Sequence, residues 1–427
     1  MIKHSNFLGY LFRKTFRLMF LVGLLFMACQ SKDQSTKDHS PFASDILGNS
    51  KYKAISYGGY RANTRNTQPT IHQITEDLII LEALGFKLIR TYNVHFEFAK
   101  NVLEAIRLLK MKRIDFEMYV MLGAWINCKN AWTDQPNHDK EDFKGNALEI
   151  SQAVELTQAY PDIVKIISVG NEARVRWATS YFVQPKVILN WVNHLQQLKA
   201  DQKLPKNLWI TSSDDFSSWG GGDPSYHEPD LEKLVHAVDY ISIHTYPFHN
   251  THYNPKFWIS KIESESQSSD LQIIDSAMFR AKNFAVMQYN NVKNYVKSLG
   301  VEKPIHIGET GWATQSSGFY GNQGSRAADE YKQALYFKLM SDWAKQNKTT
   351  CVYFEAFDEQ WKNPIDPQHS ENHFGLFTIE GKAKFSLWNF LDQGALEGLG
   401  RGNTPIEKTF QGNKEQLLST LLTPPKK

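Results

Sequence analysis

Two glutamates close apolar runs of the same design. Val164-Lys-Ile-Ile-Ser-Val-Gly-Asn171-Glu172 and Pro304-Ile-His-Ile-Gly308-Glu309 each read as a buried strand that stops near a glycine and carries a carboxylate at its C-terminal end. A pair so placed can divide acid and nucleophile work. One, protonated, gives its proton to a leaving oxygen while the other attacks, or stabilises the cation left behind; this is how an acetal bond between sugars is broken. The division requires opposite surroundings, since an attacking carboxylate must be ionised and a proton donor must not be. In Arg90-Thr-Tyr92, alternation puts Arg90 and Tyr92 on one face, so Arg90 or Tyr92 is expected to hydrogen-bond the nucleophile and hold its pKa low. Glu309 shares parity with Ile305 and Ile307 and is expected to point inward above two core layers. Glu172 suits the acid, with the amide of Asn171 beside it to bind a sugar 2-hydroxyl next to the cleaved bond.

Eight short apolar runs recur to position such groups: 54–57, 87–92, 116–122, 164–169, 208–212, 240–245, 304–307 and 351–357. Amphipathic stretches separate them, as at 71–84, where Leu78, Leu81 and Leu84 recur at helical spacing. Strand alternating with helix argues for a parallel sheet, and eight strands argue for closure into a (β/α)8 TIM barrel forming one catalytic domain. An open doubly wound sheet is the alternative, but Ser56-Tyr-Gly-Gly59 lacks the spacing of a phosphate-binding turn. In a barrel the chemistry belongs at the C-terminal strand ends. There the sequence places Tyr57, Arg90, Tyr92, Trp125, Asn171, Glu172, Asp214, Asp215, His244, Tyr246, Glu309 and the cluster Glu355, Asp358, Glu359.

Four motifs in order carry a resemblance. Ser168-Val-Gly-Asn-Glu172, Gly308-Glu-Thr-Gly-Trp312, Phe354-Glu-Ala-Phe-Asp-Glu-Gln-Trp-Lys362 and His373-Phe-Gly-Leu-Phe377 together resemble glycoside hydrolase family 17, the β-1,3-glucanases. The resemblance covers most of 54–390 and departs at Ala313, where many relatives have proline. It implies a retaining, endo-acting enzyme on laminarin-like β-1,3-glucan, with Glu172 as acid/base and Glu309 as nucleophile. It also implies that Glu359 and Lys362 belong to a network lining the cleft; a structural salt bridge at the barrel top is the equal alternative.

Aromatic rings with apolar faces and polar edges suit the C–H faces of pyranoses. Of those near strand ends, Tyr57, Tyr92, Tyr246 and Trp312 are expected to touch sugar. No metal or other cofactor is expected. The acidic residues lack the spacing of a calcium loop, and His244, His249 and His252 lack the helical pair of a zinc site.

The start of the chain carries a different signal. Residues 1–28 hold Lys3, Arg13, Lys14 and Arg17, an apolar run from Leu18 to Met27, and Ala28 before Cys29. This reads as a secretory signal too short to remain a membrane span. Cys29 after the small residue resembles a bacterial lipoprotein processing site, with Cys29 lipidated and the mature protein held on a membrane surface of the cell envelope. Residues 29–50 read as a flexible tether, 51–394 as the barrel domain, and 395–427 as a tail without assigned function. The signal takes four positive charges from the formal +3, leaving the mature chain at −1. A near-neutral chain has no phosphate-binding footprint, so nucleic acid is not an expected partner. A monomer is expected, and Cys128 and Cys351 are expected to be free. Two other readings stay open: a β-1,3-glucan transglycosylase, and a non-catalytic glycan-binding lipoprotein. The presence of glutamate at both 172 and 309 weighs against the last.

Overall fold

In a computed structural model, which describes residues 40–259 and 268–426, eight parallel strands close into a barrel. They are β1 (Lys53–Ser56), β2 (Phe86–Arg90), β3 (Tyr119–Ala124), β6 (Val164–Asn171), β7 (Trp209–Asp215), β8 (Ile241–His244), β9 (Ile305–Gly311) and β10 (Cys351–Phe354). Neighbours run in chain order around the ring, and β10 closes it against β1. An antiparallel hairpin, β4 (Cys128–Lys129) with β5 (Asn137–Glu141), follows β3 and was not legible as a strand pattern.

Strand alternation sorts side chains into two apolar layers. Ile55, Ile89, Val120, Ile167, Ile210, Ile243 and Ile307 join the helices in the larger outer core. Ala54, Leu88, Tyr119, Met121, Ile166, Tyr240 and Val352 fill the barrel's lower interior. The helices start where the sequence supplies caps. Thr70 and Gln73 make a reciprocal capping box for Ile71–Ala83, Ser269 and Gln272 do so for Asp270–Ser298, and Pro185 and Pro229 open two others.

The expected domain boundaries are corrected at both ends. Residues 42–50, assigned to the tether, begin the folded unit, which runs from Phe42 onward. Ala43, Ile46 and Leu47, on and just after the short helix Ala43–Ile46, join the lower barrel core. Burying Ile46 and Leu47 is worth roughly 1.5–3 kcal/mol each, enough to hold a polar segment in place. At the other end, residues 395–426 pack onto the barrel. Arg401 Nε donates to Asp77 Oδ1 at 2.9 Å, the Asp77 side chain is fully buried, and Leu417 is buried. The tail thus supplies a second cation for buried Asp77, which also pairs with Arg61 at 3.0 Å. Residues 1–39, including the signal segment and Cys29, lie outside the described residues.

Two irregularities position the site. On β9, Ile307 pairs with Ile243, yet Glu309 pairs with the next residue, His244, and β10 shows the same offset. On β6, Ser168 pairs with Thr211 while Asn171, not Gly170, pairs with Ser213. Each strand therefore holds one extra residue near its C-terminal end, and Gly170, at φ +77°, occupies the left-handed conformation that this requires. The bulge on β9 overturns the parity expected for Glu309. Ile305 and Ile307 face the helices, and Glu309 turns inward only because the extra residue reverses the alternation.

Candidate active site

The β9 bulge delivers Glu309 into a ring of donors. Its Oε2 accepts from Arg90 Nη1 at 2.7 Å and from the Tyr92 hydroxyl at 2.8 Å, and its Oε1 accepts from the Tyr246 hydroxyl at 2.7 Å. Burial alone would raise this carboxyl's pKa, but Arg90 and the hydroxyls of Tyr246 and Tyr92 hold it below the usual range. Charge-assisted bonds from three fixed donors also leave the carboxylate little freedom to rotate. Gly308 makes room for this arrangement. A Cβ there would lie 2.1 Å from Ser242 Oγ and 2.3 Å from Ser213 Oγ, while the Gly308 carbonyl accepts from Arg90 at 2.7 Å.

Glu172 sits in the opposite environment. It follows the β6 bulge at φ +46°, and its backbone N–H donates to the Ser213 carbonyl at 3.0 Å. No cation touches its carboxyl among the described residues. Burial, then the negative charges of Glu309 and Asp214, raise its pKa well above the ordinary carboxylate value. Asp214 is taken up by Arg174, which also packs over the ring of Trp219 and fixes the chain just beyond Glu172. Asp215, beside it, is pushed up to about 7, chiefly by burial.

His244 joins the two carboxylates. Nδ1 lies 2.9 Å from Glu172 Oε1, and Nε2 lies 3.1 Å from Arg90 Nη1 and 2.8 Å from Ser213 Oγ. A guanidinium can only donate, so Nε2 carries the lone pair and Nδ1 the proton, which it donates to Glu172. Burial lowers the His244 pKa to about 4, so the ring is neutral at neutral pH. With Oε1 occupied in this way, the transferable proton of Glu172 belongs on Oε2. Arg90 Nη2 also donates to Asn171 Oδ1 at 2.6 Å, which turns the amide N–H groups of Asn171 toward a ligand. Oxygens of Glu172 and Glu309 lie within 4.8 Å of one another. Two carboxyls this close can act together on one bond, as a proton donor and a nucleophile would.

Of the expected site residues, Asn171, Arg90, Tyr92 and Tyr246 converge on the two glutamates. Tyr57 and Trp312 do not, and for one reason: alternation points them outward. Ser56 faces Tyr92 inside the barrel, so Tyr57 turns to the helix layer, where its hydroxyl donates to Asp77 at 3.0 Å. Trp312 is fully buried against Phe248, Trp258 and Tyr336, and its indole donates to the Ala327 carbonyl at 2.8 Å. Glu359 and Lys362 form a buried cluster with Glu355, in which Lys362 Nζ bonds Glu355 and lies 3.6 Å from Glu359. Phe354 separates this cluster from the glutamate pair, lying under Lys362 on one side and against Tyr92 and Tyr246 on the other. The glycine-rich stretch 216–226 is anchored: Trp219 is fully buried and donates to the Ser242 carbonyl.

Ser213 was missed as a site residue, and His244, placed at the mouth, was given no role beside the glutamates. The available signal was parity, since His244 stands two residues before Tyr246 at the end of β8. The three candidate zinc ligands separate. His244 serves the glutamates, His249 pairs with the Tyr320 hydroxyl, and His252 stacks on Phe319. Glu172, His244 and Glu309 could offer three atoms to one cation. Arg90 already supplies the positive charge at Glu309 and occupies the His244 lone pair, so the donor set fits a proton-transfer site better than a metal site.

Residues 54–375 match the BtgE/BtgC glycoside hydrolase domain. The chain is similar, at 58% identity and a TM-score of 0.89, to an endo-laminarinase from Formosa Hel1_33_131, covering 91% of this chain and 98% of that one. A glycoside hydrolase family 17 β-1,3-glucanosyltransferase from Rhizomucor miehei shares the fold, with 19% identity, a TM-score of 0.53 and 79% and 96% of the two chains covered. Among curated relatives, glucan endo-1,3-beta-glucosidase btgC of Emericella nidulans is 24% identical over 321 residues, 72% of this chain and 40% of that protein. The chain thus spans about 40% of the length of the btgC proteins it matches.

Proposed function

The chain belongs to the BtgE/BtgC glycoside hydrolase family, and from that premise we propose that it is a retaining, endo-acting β-1,3-glucanase that cuts laminarin-like chains. The observation that carries the mechanism is the pair of carboxylates within 4.8 Å in opposite environments. Glu309, ionised by its donors, attacks the anomeric carbon while Glu172 passes the Oε2 proton to the departing oxygen. The C–O bond to the leaving sugar breaks as a bond to Glu309 forms. Glu172, now the base, takes a proton from water, whose oxygen displaces Glu309 and restores the β configuration. The Asn171 N–H groups face the 2-hydroxyl, where a hydrogen bond strengthens as the sugar ring becomes cationic. The likeness to the Formosa endo-laminarinase supports the substrate class and the endo action.

Azide separates the two roles. Glu309→Ala on an activated β-glucoside should yield the α-glycosyl azide, and Glu172→Ala the β-azide. The reverse pattern swaps the assignments, and rescue of neither variant removes the retaining mechanism.

We also propose that the mature protein is a monomer held at the cell envelope through a lipid on Cys29. The apolar run before Ala28-Cys29 supports the anchor. Cys29→Ala should move the protein from the membrane to the soluble fraction. Wild-type protein that is soluble and lipid-free by mass spectrometry overturns the anchor.

A further inference from the structure

With Tyr57 and Trp312 committed to the core, the aromatic surface of the mouth lies elsewhere. Trp125 ends just beyond β3, Trp132 sits between β4 and β5, and Tyr181 lies in the loop after Glu172. The Trp132 and Tyr181 rings are stacked at 4.9 Å and 21°, and Trp125 lies 5.1 Å from Tyr181. Trp132 is 60% exposed, yet its position is fixed. Its backbone is left-handed at φ +65°, and its amide donates to the Ser180 carbonyl at 2.8 Å. Its indole N–H shares Asn127 Oδ1 with that of Trp125, at 3.2 and 2.9 Å. The backbone N–H of Trp125 is in turn held by buried Glu149 at 3.0 Å. Side-chain packing alone gives no reason to hold a large, open indole face this firmly. A ring fixed before binding loses little freedom when a ligand stacks on it.

Tyr181 adds an independent observation. Its side chain is nine-tenths buried, but its hydroxyl hydrogen-bonds no described residue. Its backbone carbonyl accepts from the Cys128 amide at 3.1 Å, which ties the loop after Glu172 to the hairpin that carries Trp132; burial, and next the charge of Glu172, raise the pKa of its hydroxyl. A phenol hydroxyl with no protein partner can both donate to and accept from a ligand hydroxyl.

We propose that Trp125, Trp132 and Tyr181 form a binding position for a further glucosyl unit of the chain, continuous with the cleft on the Glu172 side. The Trp132 face stacks on the pyranose, and the Tyr181 hydroxyl bonds one of its hydroxyls. This rests on the reading of the chain as a β-1,3-glucanase.

The test is the rate constant kcat/KM across a series of β-1,3-linked oligosaccharides, for wild type, Trp132→Ala and Tyr181→Phe. Wild type should gain with length until the position is filled. Trp132→Ala should lose about three- to tenfold on the longest members, and Tyr181→Phe somewhat less, with the shortest cleavable member unchanged in both. Trp132 is exposed, so its truncation spares the core. Equal losses at every length would mean a disturbed centre, and no loss at any length a purely structural cluster; either overturns the proposal. A wild type that cleaves no member of the series refutes the glucanase reading itself, and the binding position with it.

Discussion

The ends of β6 and β9 are built by the same device and give their glutamates opposite surroundings. Each strand carries one extra residue near its end, and each turns a glutamate into the mouth. At β9 the carboxylate meets a guanidinium and two phenols; at β6 it meets one neutral imidazole and the field of other acids. Two residues of identical intrinsic acidity are thereby driven apart, one toward its ionised and the other toward its protonated form, as the proposed nucleophile and acid require. The backbone delivers the carboxyl group, and the side chains of neighbouring strands assign its role.

The contrast should be greatest in the dependence on leaving group. Glu309→Gln should lose on the order of 10⁴-fold or more in kcat on every substrate. Glu172→Gln should lose as much on the polymer but keep the first step for an aryl leaving group that needs no proton. Equal loss on both substrates in both variants would erase the distinction between the two ends.

Removing the guanidinium comes next. Arg90→Met should cost about a hundredfold and move the acid limb of the pH profile upward, because a less stabilised Glu309 ionises later. If the limb stays in place, Arg90 supports the fold rather than the charge.

A smaller effect belongs to the hinge between the two ends. His244→Leu removes the N–H given to Glu172, so the Glu172 anion is less favoured and the alkaline limb should move to higher pH, with about a tenfold loss in rate. A limb moving downward would reverse the tautomer assigned here.

Stability offers the smallest and most direct comparison. Glu172 has a raised folded pKa, so as pH climbs from the ordinary carboxylate value toward the raised one the unfolded chain ionises first and stability falls. Glu172→Gln should therefore raise Tm by about 2 °C at neutral pH and leave it unchanged near pH 4. Glu309 has a lowered pKa. Its stabilisation is full above the ordinary value and is lost as pH falls through the folded one, so Glu309→Gln should lower Tm at neutral pH. Calorimetry showing the same sign for both variants would contradict the opposed environments.

The barrel was legible in the residues alone, because the order of apolar runs and amphipathic stretches leaves few other closed arrangements. The sequence also marked Glu172 and Glu309, since a carboxylate at the end of a buried strand has little structural reason to be there. Arg90 and Tyr92 were legible from alternation, which is local. What the tertiary structure decided is everything that depends on register between strands. Ile305 and Ile307 face the helices, and only a one-residue bulge, visible by pairing with β8 and β10, brings Glu309 inside. Tyr57 and Trp312 stand beside site residues in sequence but point to the opposite layer, because one residue along a strand is one face of the sheet. His244 gained its role from a glutamate 72 positions away, and Ala43, Ile46 and Arg401 were folded into the domain by partners distant in sequence. Composition describes what a segment can bury; only the closed barrel supplies the surface against which it does so.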